Sequence, residues 1–249
     1  MLNWTLIGWI FIGLAAVLLA VLSWGVRIKT PSLRKNAFLT QYKASQAAAV
    51  EQGKSQQVVL GNGLSSAAYP GLGLTALSAI PVLITPESLA DGNQSIASGS
   101  GGLAALARQI VEGRYADSFT EQLLPTKTEA DVYGLTPFSF TAGLLPELSR
   151  NTFSNLLYLG GYGPESVLAV KQASDRGGQV FAAAGSLTAQ ATLFLCVYDL
   201  LIGEEVFMIA PTLTGTRQSR AGLMVEDFLR VTLIVLLIAG AVLKMCGVL

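Results

Sequence analysis

An apolar run at the start of the chain is the feature that most limits what the chain can fold into. Residues 2–26 carry no charge over about 25 positions, and at ~1.5 Å per helical residue that length exceeds a hydrocarbon core of ~30 Å. Trp4, Trp9 and Trp24 lie toward its ends, where indole rings favour membrane interfaces. A secretory signal peptide is the alternative, but no basic residue precedes the run. We predict a transmembrane helix over residues 1–26.

A second apolar run predicts a transmembrane helix over residues 228–249. It contains VTLIVLLIAGAVL, which has no polar face, although an amphipathic helix buried in a core is the alternative. Bases follow the first run from Arg27 to Lys43 with no acid before Glu51. The positive-inside rule therefore predicts a cytoplasmic domain over residues 27–227, with both termini outside and the lipid bilayer as a partner.

Composition excludes several classes of function. The chain has no histidine, which removes Ser-His-Asp and Cys-His catalysis and histidine-ligated metal sites. Its 16 basic and 16 acidic residues give a net charge of zero, so no overall field attracts a nucleic acid. Cys196 lies in the middle domain and Cys246 in the last apolar run. We expect no disulfide, no catalytic residue, no metal site, no cofactor and no nucleic-acid partner.

Between the two apolar runs, short β-prone stretches are each followed by glycine and then by a helix-like stretch. The pattern occurs at residues 56–63, 94–113, 155–177 and 179–200, and a last strand is predicted at residues 205–211. Strands that alternate with helices form βαβ units. The fold class expected is α/β, with a mostly parallel, Rossmann-like sheet flanked by the two transmembrane helices.

Two further segments complete the middle domain. Residues 35–54 predict a membrane-proximal helix that ends at Gly53, a residue suited to a helix C-cap. Residues 64–93 are apolar and contain three prolines, which forbid one continuous helix. This proline-broken insert suits a buried core segment, a membrane-surface segment or a contact between subunits, and we favour the subunit contact.

Two glycine-rich turns are the candidate ligand-binding residues. Such turns lie at the carboxyl edge of a parallel sheet, where the N–H groups of helix N-termini attract phosphates and other anions. Neither turn matches a Walker A loop or G-x-G-x-x-G, and the alternative is that their glycines only build tight turns. The candidate residues are Gly99, Ser100, Gly101, Gly102, Gly161, Gly163 and Glu165.

An acidic cluster is the second candidate site. Asp199, Glu204 and Glu205 lie between two strongly apolar stretches, and carboxylates gathered at a strand edge suit magnesium binding or acid–base work. A helix-ending turn with solvated acids is the alternative. Ser186, Thr188 and Gln190, just upstream, suit helix capping or ligand contact.

Three segments carry a resemblance to a known family. They are LLYLGGYGPESVLAVKQAS, QVFAAAGSLTAQATLFLCVYDLLIGEEVF and the helix ending in AAAVEQGK. Together, over residues 35–63 and 135–245, they resemble uncharacterised bacterial membrane proteins of the DUF6754 type. Asp199 to Glu205 match the acidic signature of that family, and Glu165 matches an acidic position after its glycine-rich turn. The resemblance implies a membrane-bound α/β domain at the bacterial inner membrane and no particular activity.

Two functions from different classes remain. The first is a non-enzymatic assembly or scaffold subunit that forms a homo- or hetero-oligomer with copies of itself, with paralogous subunits or with other membrane subunits. Scarce catalytic side chains and small residues suited to close packing favour it. The alternative is a membrane-tethered nucleotide- or anion-binding sensor that uses the glycine-rich turns. Metal-assisted catalysis by the acidic cluster ranks third.

Overall fold

A computed structural model describes most of the chain. The described residues are 9, 12–13, 16–17, 20–21, 36–62, 71–84, 94–118, 130–197, 199–214 and 217–245. They belong to two compact units, one formed by residues 1–34 with 214–249 and the other by residues 35–213. Most of the first predicted span, residues 1–26, lies outside the described residues.

The unit of residues 35–213 is an α/β domain. Its strands are β1 (Gln56–Leu60), β2 (Gln94–Ser98), β3 (Ala130–Val132), β4 (Asn155–Gly160), β5 (Gln179–Ala184) and β6 (Asp199–Ile202). Its helices are α1 (Ala37–Glu51), α2 (Leu72–Leu83), α3 (Gly101–Ser118), α4 (Pro137–Arg150), α5 (Ser166–Asp175), α6 (Leu187–Leu193), a 3₁₀ helix (Gly203–Met208) and α7 (Ile209–Thr214).

The six strands form one sheet in the order β3-β2-β1-β4-β5-β6, and each neighbouring pair is parallel. Every residue of β1 and β4 is buried, as is typical of parallel strands covered by helices on both faces. The predicted α/β class and parallel sheet are confirmed. The strand order reverses between β1 and β4, and the helices that follow these two strands pack on opposite faces of the sheet.

Two apolar clusters cover the opposite faces of the sheet. Val58 and Leu60 belong to one cluster and Val59 to the other, because successive side chains of a strand point to opposite faces. Helices α1, α2 and α3 pack on the first face with α7, and helices α4, α5 and α6 pack on the second. Because helices cover both faces of the sheet, the connecting loops lie at the two ends of the strands.

Helix α1 lies within residues 35–54, where the sequence predicts a helix. Phe38 and Tyr42 pack edge-on against Phe181 of β5, with ring centroids 5.6 and 5.3 Å apart. The predicted C-cap is also confirmed, because Gly53 adopts a φ of 61°, a left-handed conformation that glycine accepts without steric cost. The following strand, β1, then begins at Gln56.

The predicted strand at residues 205–211 is wrong. That stretch forms the 3₁₀ helix and α7. The predicted helix over the second half of 179–200 is also too long, because α6 ends at Leu193 and residues from Asp199 pair with β5. The first extended residues after α6 thus form β6 along the outer edge of β5. Gly203, with a φ of 62°, follows the end of β6.

The proline-broken insert contains a core helix. Within residues 64–93 the structure describes 71–84, where α2 continues through Pro81. Its side chains Ala76, Ala79 and Ile80 are fully buried in the first cluster. This face of α2 packs in the core of its own domain, and the predicted subunit contact stays a prediction for the rest of the insert. The remaining residues of the insert lie outside the described part.

The second unit contains helix α8, which runs from Arg217 to Met245. The boundary predicted at residue 228 falls inside this helix. Within the part of the chain that the structure describes, no helix combines the length and apolarity required to cross a membrane.

Candidate functional site

A cleft of about 510 Å³ lies at the carboxyl edge of the sheet. Loops that follow β1, β2, β4 and β5 reach it, so it lies where the strand order reverses. Ligands of open α/β sheets bind at this position. The lining residues are Asn62, Gly99, Ser100, Gly101, Leu135, Pro137, Phe140, Gly161, Tyr162, Gly163, Glu165, Ser186 and Thr188.

The floor of the cleft is a contact between two glycine loops. The N–H of Gly61 donates to the carbonyl of Leu159 at 3.3 Å, and the N–H of Asn62 donates to the carbonyl of Gly161 at 3.0 Å. A Cβ at Gly61 would lie 2.3 Å from the carbonyl oxygen of Gly161. The loops after β1 and β4 therefore approach as closely as they do because residue 61 has no side chain.

The turn after β2 leaves the N-terminus of α3 open toward the cleft. Ser98 Oγ accepts from the N–H of Ser100 at 3.1 Å, and the carbonyl of Ser100 accepts from Ala104 at 3.0 Å. The first N–H groups of a helix have no partner within it, and the first turn of α3 contains no acid. A Cβ at Gly101 would meet no atom within 4 Å, so space is open above these donors.

The turn after β4 is held by Tyr162 and Glu165. The Tyr162 hydroxyl donates to the carbonyl of Val59 and lies 3.3 Å from that of Leu159, which ties this turn to β1. Burial raises the pKa of Tyr162 well above its usual range. Glu165, at 8% exposure, accepts the Gly163 N–H through Oε1 at 2.9 Å. The carboxylate therefore turns back toward the glycine-rich turn and makes no side-chain capping hydrogen bond to α5.

The cleft brings together six of the seven candidate residues. Gly99, Ser100 and Gly101 line it from the turn after β2, and Gly161, Gly163 and Glu165 line it from the turn after β4. Gly102 lies one residue further into α3 and does not line it.

Five lining residues were not among the candidates from the sequence, namely Asn62, Leu135, Pro137, Phe140 and Tyr162. Asn62 follows β1 directly, between Gly61 and Gly63, and a polar side chain between two glycines after a buried strand is a signal that identifies such a residue. Leu135 precedes α4, and its sequence context contains no comparable signal. Ser186 accepts from the N–H of Ala189 at 3.2 Å, so it caps α6 while it also lines the cleft.

The acidic cluster is not assembled as predicted. Asp199 begins β6, whereas Glu204 and Glu205 follow its other end in the 3₁₀ helix. A strand rises ~3.3 Å per residue, which places the two ends of β6 about 10 Å apart. With its amide nitrogen facing the carboxylate, Gln41 of α1 donates to Asp199 at 2.8 Å. Among the described residues no group of three acids or cysteines is placed to hold a metal ion.

A second cavity, of about 810 Å³, lies between α1 and the starts of β5 and β6. Gln41, Lys54, Cys196 and Asp199 are among its lining residues. It lies at the opposite edge of the sheet from the glycine-rich turns, where strands begin. With the Gln41 amide nitrogen facing it, Asp199 pairs with Gln41, and none of the predicted glycine-rich turn residues lines this cavity.

Comparison with known proteins identifies a family but no characterised relative. The model of the family described as "Domain of unknown function (DUF6754)" matches residues 4–249. The match extends beyond the two stretches on which the resemblance was based. No curated protein and no solved structure matches the chain.

Proposed function

Since the chain belongs to the DUF6754 family, whose description names no activity, we propose a function from the cleft: the α/β domain binds a nucleotide as a membrane-tethered sensor. One observation carries the proposal. The turns after β2 and β4 and the loop after β1 converge on a single cleft where the strand order reverses. In α/β sheets this position binds nucleotides because helix N-termini and glycine turns meet there.

The chemistry of the cleft suits the parts of a nucleotide. The open N-terminus of α3 offers N–H groups to a phosphate, and Gly101 leaves space for it to approach. Leu135, Pro137 and Phe140 form an apolar wall, against which a base can pack. Phosphate and base sites in one cleft of this size favour a mononucleotide.

Binding of AMP to the purified full chain tests the proposal. The variant Gly101→Val places an isopropyl group over the first N–H groups of α3, in space that no protein atom occupies within 4 Å of its Cβ. Gly113→Val is the matched control, because Gly113 lies in the same helix with equally open space and does not line the cleft. We expect calorimetric titration to detect AMP binding that Gly101→Val abolishes and Gly113→Val retains. Equal binding by all three proteins, or binding by none, would refute the proposal.

We propose further that the two terminal apolar runs hold this domain at a bacterial inner membrane, with the domain in the cytoplasm. Support comes from the charge-free residues 2–26 and the apolar run within 228–249. Phe38 and Ile209, near the two ends of the α/β unit, lie in the same apolar cluster, so the chain enters and leaves on one face of the sheet. The test is extraction of isolated membranes with alkaline carbonate, which we expect to leave the protein in the pellet; release into the supernatant would contradict the proposal.

An assembly or scaffold subunit is the second candidate function. Its support is the turn between α6 and β6, where Phe194 and Leu195 are 69% and 83% exposed, since adjacent exposed apolar side chains are typical of interaction sites. We expect the detergent-extracted chain to form a discrete oligomer by light scattering, and a Leu195→Ser variant to weaken it. A monodisperse wild-type monomer would contradict this function.

A further inference from the structure

Glu165 occupies the position at which the second helix of the cleft would bind an anion. The residue directly precedes α5 and is 8% exposed. Its Oε1 accepts the Gly163 N–H at 2.9 Å, one of the donors that a phosphate at this turn would use. A negative charge at a helix N-terminus satisfies the helix dipole and repels a second anion. The two sides of the cleft therefore differ, because the first turn of α3 has no acid, whereas a carboxylate directly precedes α5 and accepts the N–H of Gly163.

Two acceptor atoms in the cleft lack partners. Among the described residues, Oε2 of Glu165 receives no hydrogen bond. Oδ1 of Asn62 is buried and has no partner either. Oδ1 of Asn62 therefore costs free energy while it has no donor, and Oε2 of Glu165 is left to accept a hydrogen bond from a ligand in the cleft.

Basic residues are absent from the described lining of the cleft. Because Glu165 is charged and no described lining residue is basic, the described lining on this side of the cleft is negative. It suits a neutral group that carries several hydroxyl donors.

We infer that the α5 side of the cleft binds the hydroxyl groups of a sugar, with Glu165 as the residue that recognises a ribose diol and excludes a second anionic group. The inference rests on the proposed nucleotide function and specifies which part of the nucleotide lies at each helix. A ribose offers adjacent hydroxyl groups, one of which donates to Oε2 of Glu165. The phosphate then lies at the N-terminus of α3, on the side of Gly101.

The test compares AMP with 2′,3′-dideoxy-AMP, which lacks both ribose hydroxyls. Titrations use the full chain in buffer with EDTA, so that a metal ion bound by Glu165 contributes no signal. Hydrogen bonds to a charged group are worth about ten- to a hundredfold in affinity. We expect the wild type to prefer AMP by about tenfold or more, and Glu165→Gln to lose most of that preference. Gln retains an acceptor for the Gly163 N–H, so the turn can keep its conformation.

Glu112→Gln is the matched control, because Glu112 is exposed on α3 and pairs with Arg108, and it should keep the wild-type preference. If the wild type binds both nucleotides equally and Gly101→Val abolishes both, the sugar inference fails while the nucleotide function stands. A full preference for AMP in Glu165→Gln would overturn the role of Glu165 alone. If neither nucleotide binds to the wild type, the proposed function fails and the inference fails with it.

Discussion

Replacing Gly61 by alanine tests the contact that forms the floor of the cleft. A Cβ at residue 61 would lie 2.3 Å from the oxygen and 2.7 Å from the nitrogen of Gly161, and neither backbone atom has another rotamer. The two loops must separate by about 1 Å to restore ordinary van der Waals contact. Separation also lengthens the hydrogen bond from Asn62 N–H to the Gly161 carbonyl, now 3.0 Å.

The expected loss of stability follows from these two effects. Overpacking costs roughly 1–3 kcal/mol, and a weakened backbone hydrogen bond about 1 kcal/mol more. The smaller chain entropy of alanine in the unfolded state offsets about 0.4–1 kcal/mol. We therefore expect Gly61→Ala to lower the free energy of unfolding by about 2–3 kcal/mol. For a domain the size of residues 35–213, that lowers Tm by about 4–12 °C.

Thermal unfolding of the full chain by circular dichroism measures the effect. Gly101→Ala is the control, because a Cβ there meets no atom within 4 Å, and we expect its Tm to match or exceed that of the wild type. If Gly61→Ala unfolds within about 2 °C of the wild type, the two loops do not touch in the folded protein and the reasoning about the cleft floor is wrong.

Three further perturbations test the core, the buried phenols and a helix cap. Leu144 is fully buried and Leu135 is 77% exposed, so in urea unfolding we expect Leu144→Ala to cost about 2–5 kcal/mol and Leu135→Ala less than about 0.5 kcal/mol. Burial raises the pKa of Tyr158 and Tyr162; their contribution to stability is present below the unfolded pKa of about 10 and lost as the pH rises further. Their tyrosinate absorbance should therefore appear together with the loss of circular dichroism. Thr136→Ala removes the capping box of α4 and should lower Tm by an amount equivalent to about 1 kcal/mol.

The central strands and the helices that follow them could be predicted because their signals are local. Strands β1 and β4 each contain an apolar run, VVL and LLYL, that leads directly to a glycine. Strand β3 gives no such signal, because its three residues, Ala130–Val132, include an aspartate and lie at the sheet edge. Helix α4 has an internal Pro146, which weakens a helical pattern. Neither β3 nor α4 was predicted from the sequence, although the capping box at Thr136 is a recognisable motif.

The order of the strands was not predictable from local patterns. Each glycine-rich turn could be identified by itself, but Gly99 and Gly161 belong to strands whose positions depend on long-range pairing. They share a cleft because β1 lies between β2 and β4. The predicted acidic cluster of Asp199, Glu204 and Glu205 illustrates the opposite case. Neighbours in sequence are separated when an extended strand such as β6 lies between them.

Glu165 shows why a residue located correctly from sequence can still be misinterpreted. In the sequence, an acid before a helix suits the helix dipole, and it was therefore compatible with an anion site at the same turn. In the structure the same property has the opposite consequence, because the carboxylate itself accepts the Gly163 N–H that an anion would need. The helix dipole favours one negative charge at this turn, and the Glu165 carboxylate supplies it. Under the proposed function, a ligand at this turn donates hydrogen bonds to Glu165, and the N-terminus of α3, where the first turn has no acid, binds its negative charge.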